Sequence, residues 1–155
     1  MAAFTAAQAL EMALQIERNG EAYYNAALTR QNAPEIRALF SDLAAQERVH
    51  YQVFERMLGQ MGPAPALPAE EYDQYDAYVL AALNNALFAG PDKALRLAEE
   101  AVDAEAAIRG ALGFEKDTLL FFYDLREMVA EKDREAVSRI IAEEKSHVRR
   151  LARRL

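Results

Sequence analysis

The sequence predicts an all-α protein, built as a four-helix bundle from two helical hairpins that a long crossover joins. The composition favours helix, because Ala, Leu, Glu and Arg are abundant whereas the chain has only 6 Gly and 5 Pro, mostly in clusters. Apolar residues recur at three- and four-residue steps in four long stretches, as on the buried face of an amphipathic helix. The two halves of the chain also repeat one another at matching spacings, which indicates two similar hairpins.

The first predicted hairpin covers residues 5–59. Its first helix runs over about 5–29, with Thr5 as a suitable N-cap. Its second helix begins near Pro34, which a first helical turn tolerates, and stops at Gly59. The residues predicted to face inward follow helical spacing: Leu10, Leu14, Glu17, Glu21, Tyr24 and Leu28 on the first helix, and Ile36, Leu39, Phe40, Leu43, Glu47, His50, Phe54 and Leu58 on the second.

Residues 60–102 form the predicted crossover, which opens on three prolines between positions 63 and 68. This connection is long for a structureless loop, so we expect it to contain an extra helix over about 72–88. A further helical start follows Asp92. The crossover therefore separates the two hairpins without forming a domain of its own.

The second predicted hairpin covers residues 103–155, and the chain as a whole, 1–155, is expected to form one domain. Its helices run over about 103–130 and 133–151. The residues predicted to face inward are Ile108, Leu112, Glu115, Leu119, Phe122 and Arg126 on the first helix, and Val137, Ile140, Ile141, Glu144, His147, Val148 and Leu151 on the second.

Both histidines of the chain stand three residues after a glutamate, as Glu47-x-x-His50 and Glu144-x-x-His147. Residues three apart on a helix share a face, so each pair can aim a carboxylate oxygen and an imidazole nitrogen at one point. Two such pairs, with one carboxylate from each of two further helices, form a known pattern: the di-iron site inside a four-helix bundle.

The internal repeat supplies the two further carboxylates, Glu17 and Glu115. Glu17 precedes Glu47 by 30 residues, and Glu115 precedes Glu144 by 29. Pairing the hairpins about a pseudo-twofold axis would bring all these side chains together. We expect three roles: terminal ligands Glu17 and Glu115, bridging ligands Glu47 and Glu144, and imidazole ligands His50 and His147.

Four buried carboxylates would be costly without cations, and two divalent metal ions would balance their charge. Carboxylate and imidazole ligands suit iron or manganese, and zinc could bind as well. The alternative is that these residues are solvated glutamates and histidines on helix surfaces. Against that alternative, the glutamates lie on the apolar lines of their helices.

Residues 16–24 (IERNGEAYY) and 141–147 (IAEEKSH) resemble the rubrerythrin and bacterioferritin branch of ferritin-like di-iron proteins. The resemblance covers both hairpins and implies a ferritin-like bundle that oxidises Fe(II) with hydrogen peroxide or dioxygen. A non-enzymatic iron-binding or storage protein is the rival interpretation. A structural bundle with a vestigial site is the third, which the presence of all six ligands disfavours.

Tyrosines near the metals in this family stand seven residues after the first-helix Glu and eight after the third-helix Glu, which correspond here to Tyr24 and Tyr123. Either phenol could hydrogen-bond a ligand carboxylate or donate an electron, and either could equally be a core aromatic. Glu21 could be an extra carboxylate or line an access route, although a surface glutamate is the favoured interpretation. Where rubrerythrins have another Glu, this chain has Thr118, which makes its ligand set closer to the symmetric bacterioferritin centre.

Composition and charge narrow the expected partners. A net charge of -7 argues against a nucleic-acid surface, and the longest apolar stretches are too short to span a membrane. The absence of cysteine excludes a rubredoxin-type iron site within this chain, so an external electron-donor protein is expected. We also expect a cytoplasmic protein, without a secretory signal, and a homodimer whose hairpins pair within one chain or swap between two.

Overall fold

The computed structural model describes residues 5–62 and 91–155. These residues form helices and short turns, with no strand among them. The helices are α1 (Ala6–Thr29), α2 (Pro34–Gly59), α3 (Pro91–Glu100), α4 (Ala104–Met128) and α5 (Glu131–Ala152). The crossover helix predicted over 72–88 lies outside the described residues.

Side-chain caps set the starts of α1 and α4 at the predicted places. Thr5 Oγ1 accepts a hydrogen bond from the Gln8 backbone N–H at 3.2 Å, and Gln8 Oε1 accepts one from the Thr5 N–H at 2.9 Å. This reciprocal pair satisfies two donors that the first helical turn would leave free. Asp103 caps α4 by accepting from the Ala106 N–H at 2.8 Å, and Pro34 opens α2.

The last helix begins at Glu131, two residues before the predicted start at 133. Its N-cap, Ala130, makes no side-chain hydrogen bond, so the sequence carries no capping signal there. Asp133 lies inside the first turn together with Glu131, where negative charge stabilises the helix N-terminus. Asp133, although aspartate is a common N-cap residue, therefore lies inside the helix.

The four long helices pack as the predicted bundle of two hairpins. Helix α1 packs along α2, and α4 packs along α5; the hairpins then meet through α1 against α4 and α2 against α5. The core between them is apolar and fully buried, and its largest side chains include Leu10, Ile16, Phe40, Phe54, Ile108, Phe114, Phe122, Leu125 and Leu151. Helix α3 packs on α1 through the buried Ala94 and Ala98.

A close contact holds the C-terminal part of α1 against the first turns of α4. The Tyr23 hydroxyl donates a hydrogen bond to the Ala107 carbonyl oxygen at 2.6 Å. A Cβ atom at Gly110 would lie 2.7 Å from the same hydroxyl oxygen, so the glycine makes room for the tyrosine. This contact sets the two helices side by side, six residues after Glu17 on α1 and eight residues before Glu115 on α4.

Each long helix buries one face and exposes the other, as the sequence periodicity predicts. Within the described part of the chain, no helix has the length and apolar content needed to cross a membrane.

Candidate metal centre

The six predicted ligands come together in the interior of the bundle. Helices α1 and α4 each contribute one glutamate, whereas α2 and α5 each contribute a Glu-x-x-His pair; all six side chains are at most 1% exposed. They form two overlapping groups, in each of which the candidate ligand atoms lie within 4.8 Å of one another: Glu17, Glu47, His50 and Glu144, and Glu47, Glu115, Glu144 and His147. Glu47 and Glu144, the shared glutamates, belong to both groups.

Glu144 lies between the two histidines. Its Oε1 is 2.8 Å from His50 Nδ1, and its Oε2 is 2.8 Å from His147 Nδ1. The imidazole rings are stacked, with centroids 5.7 Å apart and planes inclined by 17°. One carboxylate therefore presents an oxygen to each histidine, which is the arrangement that a bridging ligand needs.

Each terminal glutamate, Glu17 or Glu115, lies near one histidine. Glu17 Oε2 is 3.7 Å from His50 Nδ1, whereas Glu115 Oε1 is 3.5 Å from His147 Nδ1. The site thus divides into two halves, each with one terminal glutamate and one histidine. The shared glutamates connect the halves.

The outer nitrogen of each histidine contacts a side chain that the sequence analysis missed. His50 Nε2 is 2.6 Å from Glu143 Oε2, and His147 Nε2 is 2.8 Å from Gln46 Oε1. Because both partners are oxygen acceptors, Nε2 donates in each case, and Nδ1 is the nitrogen that faces the carboxylates. Such outer contacts fix the orientation of a histidine that binds metal.

A signal for these two residues does exist in the sequence. Gln46 and Glu143 each immediately precede a shared glutamate, so they occupy matching positions in the repeat. Each reaches across the bundle to the histidine of the other hairpin. Periodicity alone could not single them out, because both project from the polar side of their helices.

The ligand atoms lack hydrogen-bond partners, which supports a cation site. Among the described residues, ten buried side-chain N and O atoms have no hydrogen-bond partner, and nine of them belong to the six predicted ligands. The tenth is Thr118 Oγ1. Folded proteins rarely bury unpaired polar atoms, so their concentration at one place indicates a bound group. Four carboxylates and two imidazoles are donors that fit two iron or manganese ions.

Crowding shifts the pKa values of the four carboxyl groups. Burial raises the pKa of Glu17, Glu47 and Glu115 well above the usual range, and repulsion from Glu144 raises it further. Burial also acts to raise the pKa of Glu144, but the contacts of this residue with His147 and His50 outweigh it and hold the pKa below the usual range. Glu144 therefore carries negative charge most readily.

For the two histidines, burial acts to lower the pKa and contacts with carboxylates act to raise it. Burial alone would lower the pKa of His50, but the close contact with Glu144 and the charges around the ring raise it to about 9. The pKa of His147 is also raised well above its usual value, because contacts with Glu115, Glu144 and Glu47 outweigh burial. In the metal-free protein both rings hold protons at neutral pH, and these protons supply positive charge that a metal ion would replace.

Tyr24 contacts the ligand set directly. Its fully buried hydroxyl donates a hydrogen bond to Glu115 Oε1. Burial, followed by the negative charge of Glu115, raises the pKa of the phenol well above its usual value, so the hydroxyl keeps its proton and remains a donor. The structure places Tyr24 where it orients a terminal glutamate, while its part in turnover stays a prediction.

Tyr123 is half-buried and its ring lies beside two cations. Lys145 Nζ is 5.2 Å from the ring centroid and Arg126 Cζ is 5.4 Å from it. The residue that stands seven positions after Glu115, as Tyr24 does after Glu17, is Phe122, which is fully buried. The structure thus brings Tyr24 to a ligand but not Tyr123, whose predicted role stays a prediction.

The positions three residues after the terminal glutamates differ between the halves. A Cβ atom at Gly20 would lie 2.9 Å from Phe114 Cε1 and 3.2 Å from Glu47 Cδ, so glycine permits close packing against a shared glutamate. The matching position on α4 is Thr118, which is fully buried. One half therefore has a hydroxyl where the other half has no side chain.

Glu21 lies on the outer side of α1, close in sequence to the site. Its carboxylate accepts a hydrogen bond from Arg48 Nε at 2.8 Å and also pairs with the Nη2 atom of the same guanidinium. This ion pair joins α1 to α2. The pairing is that of a helix-surface glutamate, the interpretation favoured from the sequence.

Comparisons with known proteins agree with this geometry. The family model described as rubrerythrin matches residues 8–155. A similar solved structure is that of a protein from Thermotoga maritima described as a ferritin-like diiron-carboxylate protein; the chains are 22% identical, with a TM-score of 0.67, over 97% of this chain and 93% of the other. At this identity the likeness shows the fold, and it confirms the predicted ferritin-like bundle. No curated protein matches the chain.

Proposed function

Because the chain belongs to the rubrerythrin family, we propose that it is a di-iron carboxylate protein that oxidises Fe(II) with hydrogen peroxide or dioxygen. The observation that carries the proposal is the buried set of four glutamates and two histidines in two groups that share two glutamates. This is the donor set of ferritin-like di-iron centres. Manganese and zinc are the alternative occupants.

Each of the two ions would have its own terminal glutamate and histidine. Glu17 and His50 would hold one ion, and Glu115 and His147 the other, with both shared glutamates between them. Two divalent ions balance the four carboxylates. When bound, two Fe(II) ions would supply the two electrons that reduce hydrogen peroxide to water.

The protein around the ligands supplies orientation and shielding. Gln46 and Glu143 fix the histidine rings from outside, and Tyr24 holds the Glu115 carboxylate through its hydroxyl. The bundle core excludes bulk water from all six ligands, which strengthens every electrostatic contact at the site. Tyr24 is also the phenol best placed to donate an electron during turnover.

Repeated turnover needs a reductant, and we propose that a separate electron-donor protein supplies it. The chain contains no cysteine from which a thiolate-bound iron centre could be built. The predicted homodimer, with hairpins paired within one chain or swapped between two, is a further proposal that rests on the family resemblance.

An iron titration tests the proposed function. The metal-free protein is titrated anaerobically with Fe(II) and then given hydrogen peroxide or dioxygen in separate runs. We expect saturation at about two irons per chain, oxidation on addition of the oxidant, and repeated turnover once a reductant is present. Uptake of many irons per chain would instead support storage.

Two variants make that titration specific to the site. Glu47→Gln removes the charge of a shared glutamate and should abolish tight binding of the pair of ions. Glu55→Gln, on the exposed side of the same helix, removes the same charge and should leave the titration unchanged. Equal binding by the Glu47→Gln protein and the unsubstituted protein would contradict the dimetal proposal.

A further inference from the structure

The two halves of the site repeat one another in their ligands but not in the residues that contact those ligands. Each half has one terminal glutamate and one histidine, and the halves share Glu47 and Glu144. If the surroundings matched as well, two ions would bind with equal intrinsic affinity. Besides Gly20 and Thr118, two matched positions around the ligands carry different chemistry, and both of these differences strengthen the same half.

The first difference lies behind the histidines. His50 Nε2 donates to the carboxylate of Glu143 at 2.6 Å, whereas His147 Nε2 donates to the neutral amide oxygen of Gln46 at 2.8 Å. A carboxylate partner makes an imidazole a stronger metal ligand than an amide does, because its charge stabilises the positive charge that develops on the ring. Solvent weakens this effect, because the Glu143 side chain is 53% exposed, but the hydrogen bond itself is direct.

The second difference lies at the terminal glutamates. Glu115 Oε1 accepts a hydrogen bond from the Tyr24 hydroxyl. The residue that matches Tyr24 in the other half is Phe122, which has no hydroxyl. Among the described residues, neither oxygen of Glu17 accepts a hydrogen bond from a side chain outside the ligand set. A donated hydrogen bond withdraws electron density from a carboxylate and weakens it as a ligand. Glu17 is therefore the stronger terminal ligand.

We infer that the two metal positions are not equivalent, and that the position of Glu17 and His50 binds a divalent cation more tightly and fills first. The inference rests on the proposed function in that it requires two ions to bind. It concerns affinity, and so it holds whichever oxidant the protein uses. The more weakly bound ion is then the one held by Glu115 and His147, beside Tyr24.

Stepwise binding of Co(II) to the full-length metal-free protein tests this inference. Isothermal titration calorimetry and the visible absorption of bound Co(II) should show two steps, separated by about tenfold or more in dissociation constant. His147→Ala should lose the weaker step, and His50→Ala the tighter one. These variants assign each step to its position.

Substituting Glu143 or Tyr24, which contact the ligands, should change the dissociation constant of one binding step and not of the other. Glu143→Gln places an amide behind both histidines and should weaken the tighter step by about tenfold, with little change in the weaker step. Tyr24→Phe should increase the affinity of the weaker step, and so reduce the difference in dissociation constant between the two steps. Glu135→Gln, at an exposed glutamate of the same helix, removes the same charge and should change neither step. Circular dichroism of each metal-free variant checks that its helices are retained.

Three outcomes would overturn the inference: two ions binding in a single step of equal affinity, Glu143→Gln weakening both steps equally, or loss of the tighter step in His147→Ala. In those cases the dimetal centre itself would stand. A chain that binds no Co(II) and no Fe(II) would instead overturn the proposed function and the inference together.

Discussion

At the level of single residues, the buried carboxylates favour metal binding at the expense of the stability of the metal-free fold. Glu17 is fully buried, and neither of its oxygens has a hydrogen-bond partner. Such a group costs free energy unless it takes up a proton or gains a cation. Glu17 is thus a residue at which replacement should stabilise the metal-free protein.

Glu17→Gln should raise the free energy of unfolding of the metal-free protein by roughly 1–4 kcal/mol at pH 7 and weaken metal binding. Since the folded-state pKa of Glu17 is raised, its contribution to stability is present at acid pH and is lost as pH rises through that pKa. The gap between variant and parent should therefore widen from about pH 4 toward neutrality. Urea unfolding in the presence of a chelator, at a series of pH values, measures this difference in the free energy of unfolding.

The exposed Glu11 on the same helix provides the control, because Glu11→Gln removes a charge that is already solvated. That variant should unfold like the parent at every pH. A metal-free Glu17→Gln protein less stable than the parent at pH 7 would contradict the view that the buried carboxylate destabilises the metal-free fold.

Metal affinity should rise with pH because the histidines must lose protons before they bind. The pKa of His50 is raised to about 9, so at neutral pH its ring holds a proton that an incoming ion displaces. Zn(II) affinity, measured against a competing chelator between about pH 6 and 9, should increase throughout this range, with protons released into a weakly buffered solution. An affinity independent of pH would show that the rings are neutral before binding.

The ligands could be predicted from the sequence because each lies on the buried face of its helix at a regular spacing. For the second tyrosine, the family pattern names Tyr123, eight residues after Glu115, whereas the repeat spacing of seven residues points to Phe122. The structure shows that Phe122 takes the position that matches Tyr24. Glu143 was missed for a related reason: it reaches a ligand from a largely exposed position.

At the level of the helices, the site depends on how closely α1 approaches its neighbours. Gly20 permits this approach, since a Cβ atom there would lie 2.9 Å from Phe114 Cε1 and 3.2 Å from Glu47 Cδ. Either the phenyl ring or the shared glutamate must move to admit a methyl group. Overpacking of this kind displaces side chains and backbone.

Gly20→Ala should destabilise the protein by about 1–3 kcal/mol and weaken metal binding, because it displaces a shared glutamate. Gly59→Ala is the matched control: among the described residues, no atom outside its own helix backbone and chain neighbours lies within 4 Å of a Cβ atom built there, so binding and stability should be nearly unchanged. Thermal unfolding and an Fe(II) titration measure both effects. A Gly20→Ala protein that binds iron as the parent does would show that this approach is not needed.

The helix starts show where local sequence suffices and where it does not. Thr5 and Asp103 carry side chains that cap α1 and α4, and both starts were predicted. Helix α5 starts at Glu131, behind an alanine that offers no cap, so the prediction at 133 was wrong by two residues. The two extra residues, Glu131 and Lys132, are exposed, and no capping residue marks where the helix begins.

At the level of the whole molecule, two similar hairpins place their ligands around one centre. The fold could be predicted because periodicity gives the helices and the repeat gives their pairing, and the match to the solved Thermotoga maritima protein confirms it. The crossover helix predicted over 72–88 lies outside the described residues. The differences between the halves could not be predicted, because they depend on which side chains meet across the bundle.

The central claim is that one chain holds two metal ions between its hairpins. A crystal structure of the protein loaded anaerobically with Fe(II), with anomalous diffraction recorded at the iron edge, tests it most directly. We predict two peaks per chain, about 3.5–4 Å apart, one bound by His50 and the other by His147, with Glu47 and Glu144 between them. No peak, a single peak, or peaks held by other residues would contradict it.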